Sequence, residues 1–238
     1  MAGRDLLPRS RFFAVLAVAL LGAALLPAST ESAVGATFGP GDYMESTEQA
    51  CTLNFVFDGT GPRAGKVYVG TAAHCVNRVG EPISTDAFPN IGAVVLIGNA
   101  DVTAQDYALI EVRSDLHGAV RASVRGYPQY PTGYTVSNET RIGERIQASG
   151  YGLGFDLTQP TREKRIGVLT YDNAELFEFA GAMMWGDSGG PLVHVPTGKA
   201  LGIESRVCLG ACTDEGPTVE GILAKAAARG YPLQLRTV

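Results

Sequence analysis

After residue 50 the chain alternates between short apolar runs and clusters of turn residues. Runs rich in Val, Ile, Tyr and Phe fall at 51–57, 66–69, 93–97, 107–112, 145–149, 167–171, 176–179, 192–195 and 200–204. They recur roughly every 10–20 residues between Gly, Pro, Asn and Asp, which is the rhythm of an all-β barrel or sandwich. No strand–helix–strand alternation is visible. One segment, 219–229, reads as a helix, with Ala-rich filling and Gly230 as its stop. The stretch 121–138 carries two prolines and weak periodicity, so it reads as a connector between two β units.

The longest uncharged apolar run lies outside this pattern. Residues 12–26 read FFAVLAVALLGAALL, preceded by Arg4, Arg9 and Arg11 and followed by the small-residue stretch PASTESAVGA. That is the three-part layout of a secretory signal peptide, expected to occupy residues 1–36 with cleavage at Val34-Gly35-Ala36. The rival reading is an uncleaved anchor, for which a run of about 15 residues is short, since a span needs about 20. A secreted, extracellular protein with no membrane attachment after cleavage is expected.

Composition narrows the class further. The 238 residues include 30 Gly and 13 Pro, and only 18% are charged. Mean hydropathy is +0.08. This size can bury a real core in one large or two small domains, and the composition argues against disorder. Net charge is -5. Removing residues 1–36 takes away three arginines and two acids, leaving -6, so nothing provides the electrostatic footprint of a nucleic-acid binder. Export permits disulfides. Four cysteines allow three pairings, of which Cys51–Cys75 and Cys208–Cys212 are expected. The first closes a loop worth about 3–4 kcal/mol in the chain-entropy model, and the second pins one tight loop. A zinc site is the rival reading, but Cys208-x3-Cys212 has no second ligand pair nearby.

Three segments carry chemistry: Thr71-Ala72-Ala73-His74-Cys75, Asp106-Tyr107-Ala108-Leu109-Ile110-Glu111-Val112 and Gly186-Asp187-Ser188-Gly189-Gly190-Pro191. A serine hydroxyl is a weak nucleophile and needs a base to take its proton during attack. Histidine suits that task near neutral pH, and a buried carboxylate can fix its tautomer. Ser188, His74 and Asp106 make such a set. Glycines around Ser188 let backbone N–H groups, those of Gly186 and Ser188, point at a developing oxyanion. Asp101 is a loop rival to Asp106, which is preferred because an apolar strand begins directly after it. His117 reads as solvated and His194 as packing or surface.

With these motifs in the order His, Asp, Ser, the chain resembles the chymotrypsin-like (trypsin-fold) serine peptidases, in particular their compact bacterial secreted members, over roughly residues 45–230. The resemblance implies two antiparallel six-stranded β-barrels with a short C-terminal helix, here 37–122 and 123–238. It implies a secreted, monomeric serine endopeptidase that acts on protein or peptide substrates and needs no cofactor or metal. It also implies that Ala182 forms the floor of the specificity pocket, with Met183, Met184 and Trp185 on one wall and Ser205, Arg206 and Val207 on the other. A small floor and apolar walls favour an apolar residue before the scissile bond, not Lys or Arg. Arg206 and Glu220 read as solvated charges or as readers of a charged substrate.

The chain departs from the family pattern in two places. Met184 stands where many relatives have a cysteine, and no Ile-Val-Gly-Gly start exists to pair with Asp187. An internal arginine (Arg141, Arg145 or Arg165) is the expected substitute. A catalytically silent homologue serving as a binding module is the competing class.

Overall fold

The computed structural model describes residues 35–152, 164–181, 183–208 and 212–238. The signal segment expected at 1–36 falls almost entirely outside them, as does the pocket floor expected at Ala182. Fourteen strands and one α-helix follow in chain order among the described residues. The strands are β1 Tyr43–Glu45, β2 Ala50–Thr52, β3 Val56–Gly59, β4 Val67–Thr71, β5 Pro82–Ile83, β6 Gly92–Ile97, β7 Ala108–Val112, β8 Arg145–Ala148, β9 Arg165–Asp172, β10 Leu176–Gly181, β11 Pro191–His194, β12 Lys199–Ile203, β13 Asp214–Pro217 and β14 Leu233–Leu235. The helix α1, Val219–Ala228, lies between the last two strands.

Two six-stranded sheets hold the molecule, one in the order β14-β3-β4-β7-β6-β5 and the other β12-β11-β8-β9-β10-β13. Every strand pairing within them among the described residues is antiparallel, from β3–β4 and β4–β7 in the first to β8–β9 and β11–β12 in the second. This is the two-sheet all-β architecture that the apolar runs predict. The run 51–57 divides into β2 and β3, because Leu53 and Asn54 turn their N–H groups to Asp42 and Gly70. The last strand, β14, returns to the first sheet and pairs Leu235 with Phe57.

The core follows from strand alternation. Strand β6 buries every second residue, which turns one face inward. One apolar cluster fills the first sheet with Leu53, Val69, Val94 and Ile110, and another fills the second with Ile146, Leu169, Phe177 and Leu192. A third joins them: Phe57, Tyr68 and Leu109 pack with Val193, Ile203 and, from α1, Ile222. Helix α1 starts where Thr218 accepts the Gly221 N–H at 3.0 Å, an N-cap that satisfies one of the free amides of its first turn.

Candidate active site

Strand register brings two of the three motif residues together. In the β4–β7 pair Thr71 stands opposite Ala108. His74 lies three residues past the end of β4 and Asp106 two before the start of β7, so antiparallel pairing sets them side by side. A 3-10 turn over Ala73–Cys75 aims the imidazole, and a second over Thr103–Gln105 delivers the acid. His74 Nδ1 lies 2.7 Å from Asp106 Oδ2, and the His74 backbone N–H donates to Oδ1 at 2.9 Å. A carboxylate here accepts, so Nδ1 carries the proton and Nε2 is left with a lone pair. The Asp106 side chain is 1% exposed and the imidazole 35% exposed. Asp101 is exposed and makes no contact with His74 among the described residues.

The second sheet supplies the serine. Pro191 of β11 pairs with Ile203 of β12, so the loop before β11, with Ser188, and the chain after β12, with Glu204 and Ser205, leave the sheet at the same end. The Ser188 loop is fastened to the first sheet by Thr52, whose N–H donates to Ser188 O at 2.9 Å and whose hydroxyl donates to Gly186 O at 2.8 Å. Sequence reading passed over Thr52; its only signal is a hydroxyl beside Cys51 in an apolar run. Gly186 and Gly189 have positive φ, at 98° and 83°. A Cβ on Gly189 would press into Thr71 Oγ1 and Thr52 O, so only glycine allows the loop this close to the first sheet. The N–H groups of Gly186 and Ser188 donate to no acceptor among the described residues. No hydrogen bond joins Ser188 Oγ to His74 Nε2 among those residues.

Chain topology alone does not name a family, but sequence comparison does. A trypsin-like peptidase domain is recognised over residues 52–203. The chain belongs to the trypsin-like peptidase family. No curated protein is significantly similar to it in sequence. Among solved structures, this peptidase is similar to Thermobifida fusca Protease A (20% identity, 85% of this chain and 100% of that one, TM-score 0.56). It is also similar to a Nocardiopsis protease (20%, 85% and 100%, TM-score 0.58) and to Cellulomonas bogoriensis chymotrypsin (20%, 84% and 98%, TM-score 0.55). These likenesses establish the chymotrypsin-like two-barrel fold.

Both cysteine pairs of the peptidase are bonded, Cys51 to Cys75 and Cys208 to Cys212. The first lies beside His74, and Cys75 Sγ is 3.8 Å from Ser188 O. Cys51, Cys75 and His74 crowd together, but with both sulfurs in the disulfide they offer no metal site. Of the three arginines expected as substitutes for a new N-terminus, Arg165 meets Asp187, with Nε 2.7 Å from Oδ2. Asp187 is fully buried and also accepts the N–H groups of Gly152 (2.5 Å) and Met184 (2.9 Å). Burial drives its pKa above the usual carboxylate range, while Arg165 and these amides hold it down.

The expected pocket walls separate in the structure. Met183 is buried and Val207 packs against the same apolar cluster, whereas Trp185 is 67% exposed. Ser205, expected on a wall, donates its hydroxyl to Asp106 Oδ2 at 2.5 Å and so joins the acid–base pair. Arg206 bonds the Asp101 carbonyl at 2.9 Å, and Glu220 caps Ser137. His194 is buried between Glu144 and Thr197, a structural position.

Proposed function

We propose that the protein is a secreted serine endopeptidase in which Ser188 is the nucleophile, His74 the general base and acid, and Asp106 the group that orients and supports the imidazole. The observation that carries this reading is the bond between His74 Nδ1 and the buried Asp106 carboxylate, which leaves Nε2 its lone pair, while Thr52 fastens the Ser188 loop to the first sheet. In the mechanism Ser188 Oγ attacks the peptide carbonyl as His74 Nε2 takes its proton. The N–H groups of Gly186 and Ser188 receive the oxyanion. His74 then protonates the leaving amine, an acyl-enzyme forms at Ser188, and a water deprotonated by His74 releases the acid. The disulfides and the apolar N-terminal run support export. Monomeric action on protein or peptide substrates is part of the same reading.

The unjoined Ser188 and His74 would also suit a silent homologue, although such bonds often tighten only with substrate bound. A fluorophosphonate probe distinguishes the two. Covalent labelling of the wild type, lost in both Ser188→Ala and His74→Ala, is expected. No labelling of the folded wild type would establish the silent binding module instead.

A further inference from the structure

One residue holds the carbonyls of both Gly186 and Ser188, the two residues whose N–H groups receive the oxyanion in the mechanism above. Thr52 donates its backbone N–H to Ser188 O at 2.9 Å and its hydroxyl to Gly186 O at 2.8 Å. The residue is fully buried. Its hydroxyl oxygen also accepts the Tyr151 N–H, at 3.1 Å. A hydroxyl has one proton to give and rotates to suit its surroundings. With the Tyr151 donor already aimed at the oxygen, that proton is directed to Gly186 O.

The rest of the loop is held by other groups. Gly189 N–H donates to Glu204 O at 2.7 Å, and Glu204 N–H donates to Gly190 O at 2.9 Å. Asp187 is fixed by Arg165 and by the amides of Gly152 and Met184. Among the described residues, Gly186 O is held by Thr52 alone. That contact matters because of what residue 186 is. Its φ is 98°, and glycine passes readily between this region and negative φ, so the local sequence does not decide where its N–H points. The peptide plane that follows is pinned at both ends, Gly186 O by Thr52 and Asp187 N–H by Met184 O at 3.0 Å. Pinning that plane leaves the Gly186 N–H one rotation, about φ, in place of two.

Thr52 is tied to the other half of the candidate site as well. Its carbonyl accepts the Thr71 hydroxyl at 3.0 Å. Thr71 ends β4, three residues before His74. Cys51, the residue before Thr52, is bonded to Cys75, the residue after His74. The two oxyanion donors and the imidazole therefore share one mooring.

We infer that Thr52 is a positioning residue for the reaction: its hydroxyl sets the Gly186 and Ser188 N–H groups relative to His74, and so serves the transition state and not the binding of substrate. This inference rests on the peptidase reading and deepens it. Thr52 acts through the loop, so its effect must be read as a split between kinetic constants. An interaction made only with the oxyanion is lost from kcat and leaves KM where it was.

The test compares wild type with Thr52→Val, which keeps the shape and removes the hydroxyl, and with Thr52→Ser, which keeps the hydroxyl. Three quantities are measured. The first is the second-order rate of fluorophosphonate labelling. The second is kcat and KM for the peptide anilide that wild type cleaves fastest in a mixed panel. The third is the inhibition constant of the matching peptide aldehyde, whose adduct with the serine carries the oxyanion. Removing an oxyanion donor outright costs about 10²–10³ in kcat, and displaced donors cost less. Thr52→Val is therefore expected to slow labelling and lower kcat by about 10- to 100-fold, to weaken the aldehyde by the same factor, and to leave KM within about twofold. Thr52→Ser is expected to stay within about threefold of wild type in all three. A folded Thr52→Val that labels and turns over at the wild-type rate overturns this inference and leaves the peptidase reading intact. So does a loss that falls on KM alone, or a Thr52→Ser as slow as Thr52→Val. A wild type that does not label overturns the peptidase reading and takes this inference with it. Should Thr52→Val not fold, Thr52→Ser and Thr52→Ala, which differ by one oxygen atom, carry the same comparison.

Discussion

Asp106 accepts three bonds, two from His74 and one from Ser205, and a buried carboxylate with its lone pairs so engaged has little freedom to turn. That makes the role of Ser205 testable. Ser205→Ala removes one hydrogen bond to a charged group, an interaction worth about 1.5–3 kcal/mol. If the hydroxyl serves Asp106, kcat should fall about tenfold with KM nearly unchanged, and the acidic limb of the pH–rate profile should move. If KM rises instead, Ser205 belongs to the substrate wall, as the sequence alone suggests. The three motif residues were readable because each sits in a segment with its own chemical logic. Ser205, Thr52 and Glu204 were not, because a lone hydroxyl or acid in an apolar run gains meaning only from what the fold places opposite it.

Local elements depend on similar buried anchors. The turn that follows His74 closes over Glu81, a fully buried carboxylate that accepts the N–H groups of Asn77 (2.7 Å), Thr47 (2.8 Å) and Arg78 (3.4 Å). Burial by itself would raise its pKa, but these donors outweigh burial and bring it to about 2. Because the folded value lies below the unfolded value of 4.5, Glu81 stabilises the fold above pH 4.5, and that contribution is lost as pH falls towards 2. Glu81→Gln should cost about 2 kcal/mol at pH 7 and far less at pH 2.5, as read by urea unfolding at both values. An equal loss at both would show that shape, not charge, holds the turn. Arg165 is the corresponding anchor of the serine loop. Arg165→Met leaves Asp187 buried without its cation, which should cost about 3–5 kcal/mol and abolish fluorophosphonate labelling before global unfolding. Retained labelling would mean that Thr52 and the backbone bonds of the loop hold it without Arg165. At this scale the long strands and α1 were legible from periodicity. The short strands β1, β5 and β13 were not, since two to four residues carrying Pro, Asp or Glu leave no period to read, and the three residues of β14 are too few to show one.

Across the whole molecule the question is whether the two sheets melt together. The candidate site straddles them, with His74 and Asp106 beside the first and Ser188 and Ser205 beside the second. Independent motion would therefore separate Ser188 from His74. Three features oppose this: the shared apolar cluster, the Thr52 bonds to the Ser188 loop, and strand β14, which carries the chain from α1 back to β3. The return is anchored by buried Leu235, by Thr60 N–H on Pro232 O at 2.9 Å and by the Arg236–Asp58 ion pair at 2.5 Å. Calorimetry should accordingly give a single transition with equal calorimetric and van't Hoff enthalpies. Deleting residues 232–238 should leave β3 as an exposed edge and open the shared cluster at Phe57, lowering Tm by about 10 °C and splitting the transition in two. Active-site labelling should disappear with the lower of the two transitions, since the serine needs both sheets in register. A truncated protein that still melts in one step would show that the apolar cluster couples the sheets without β14.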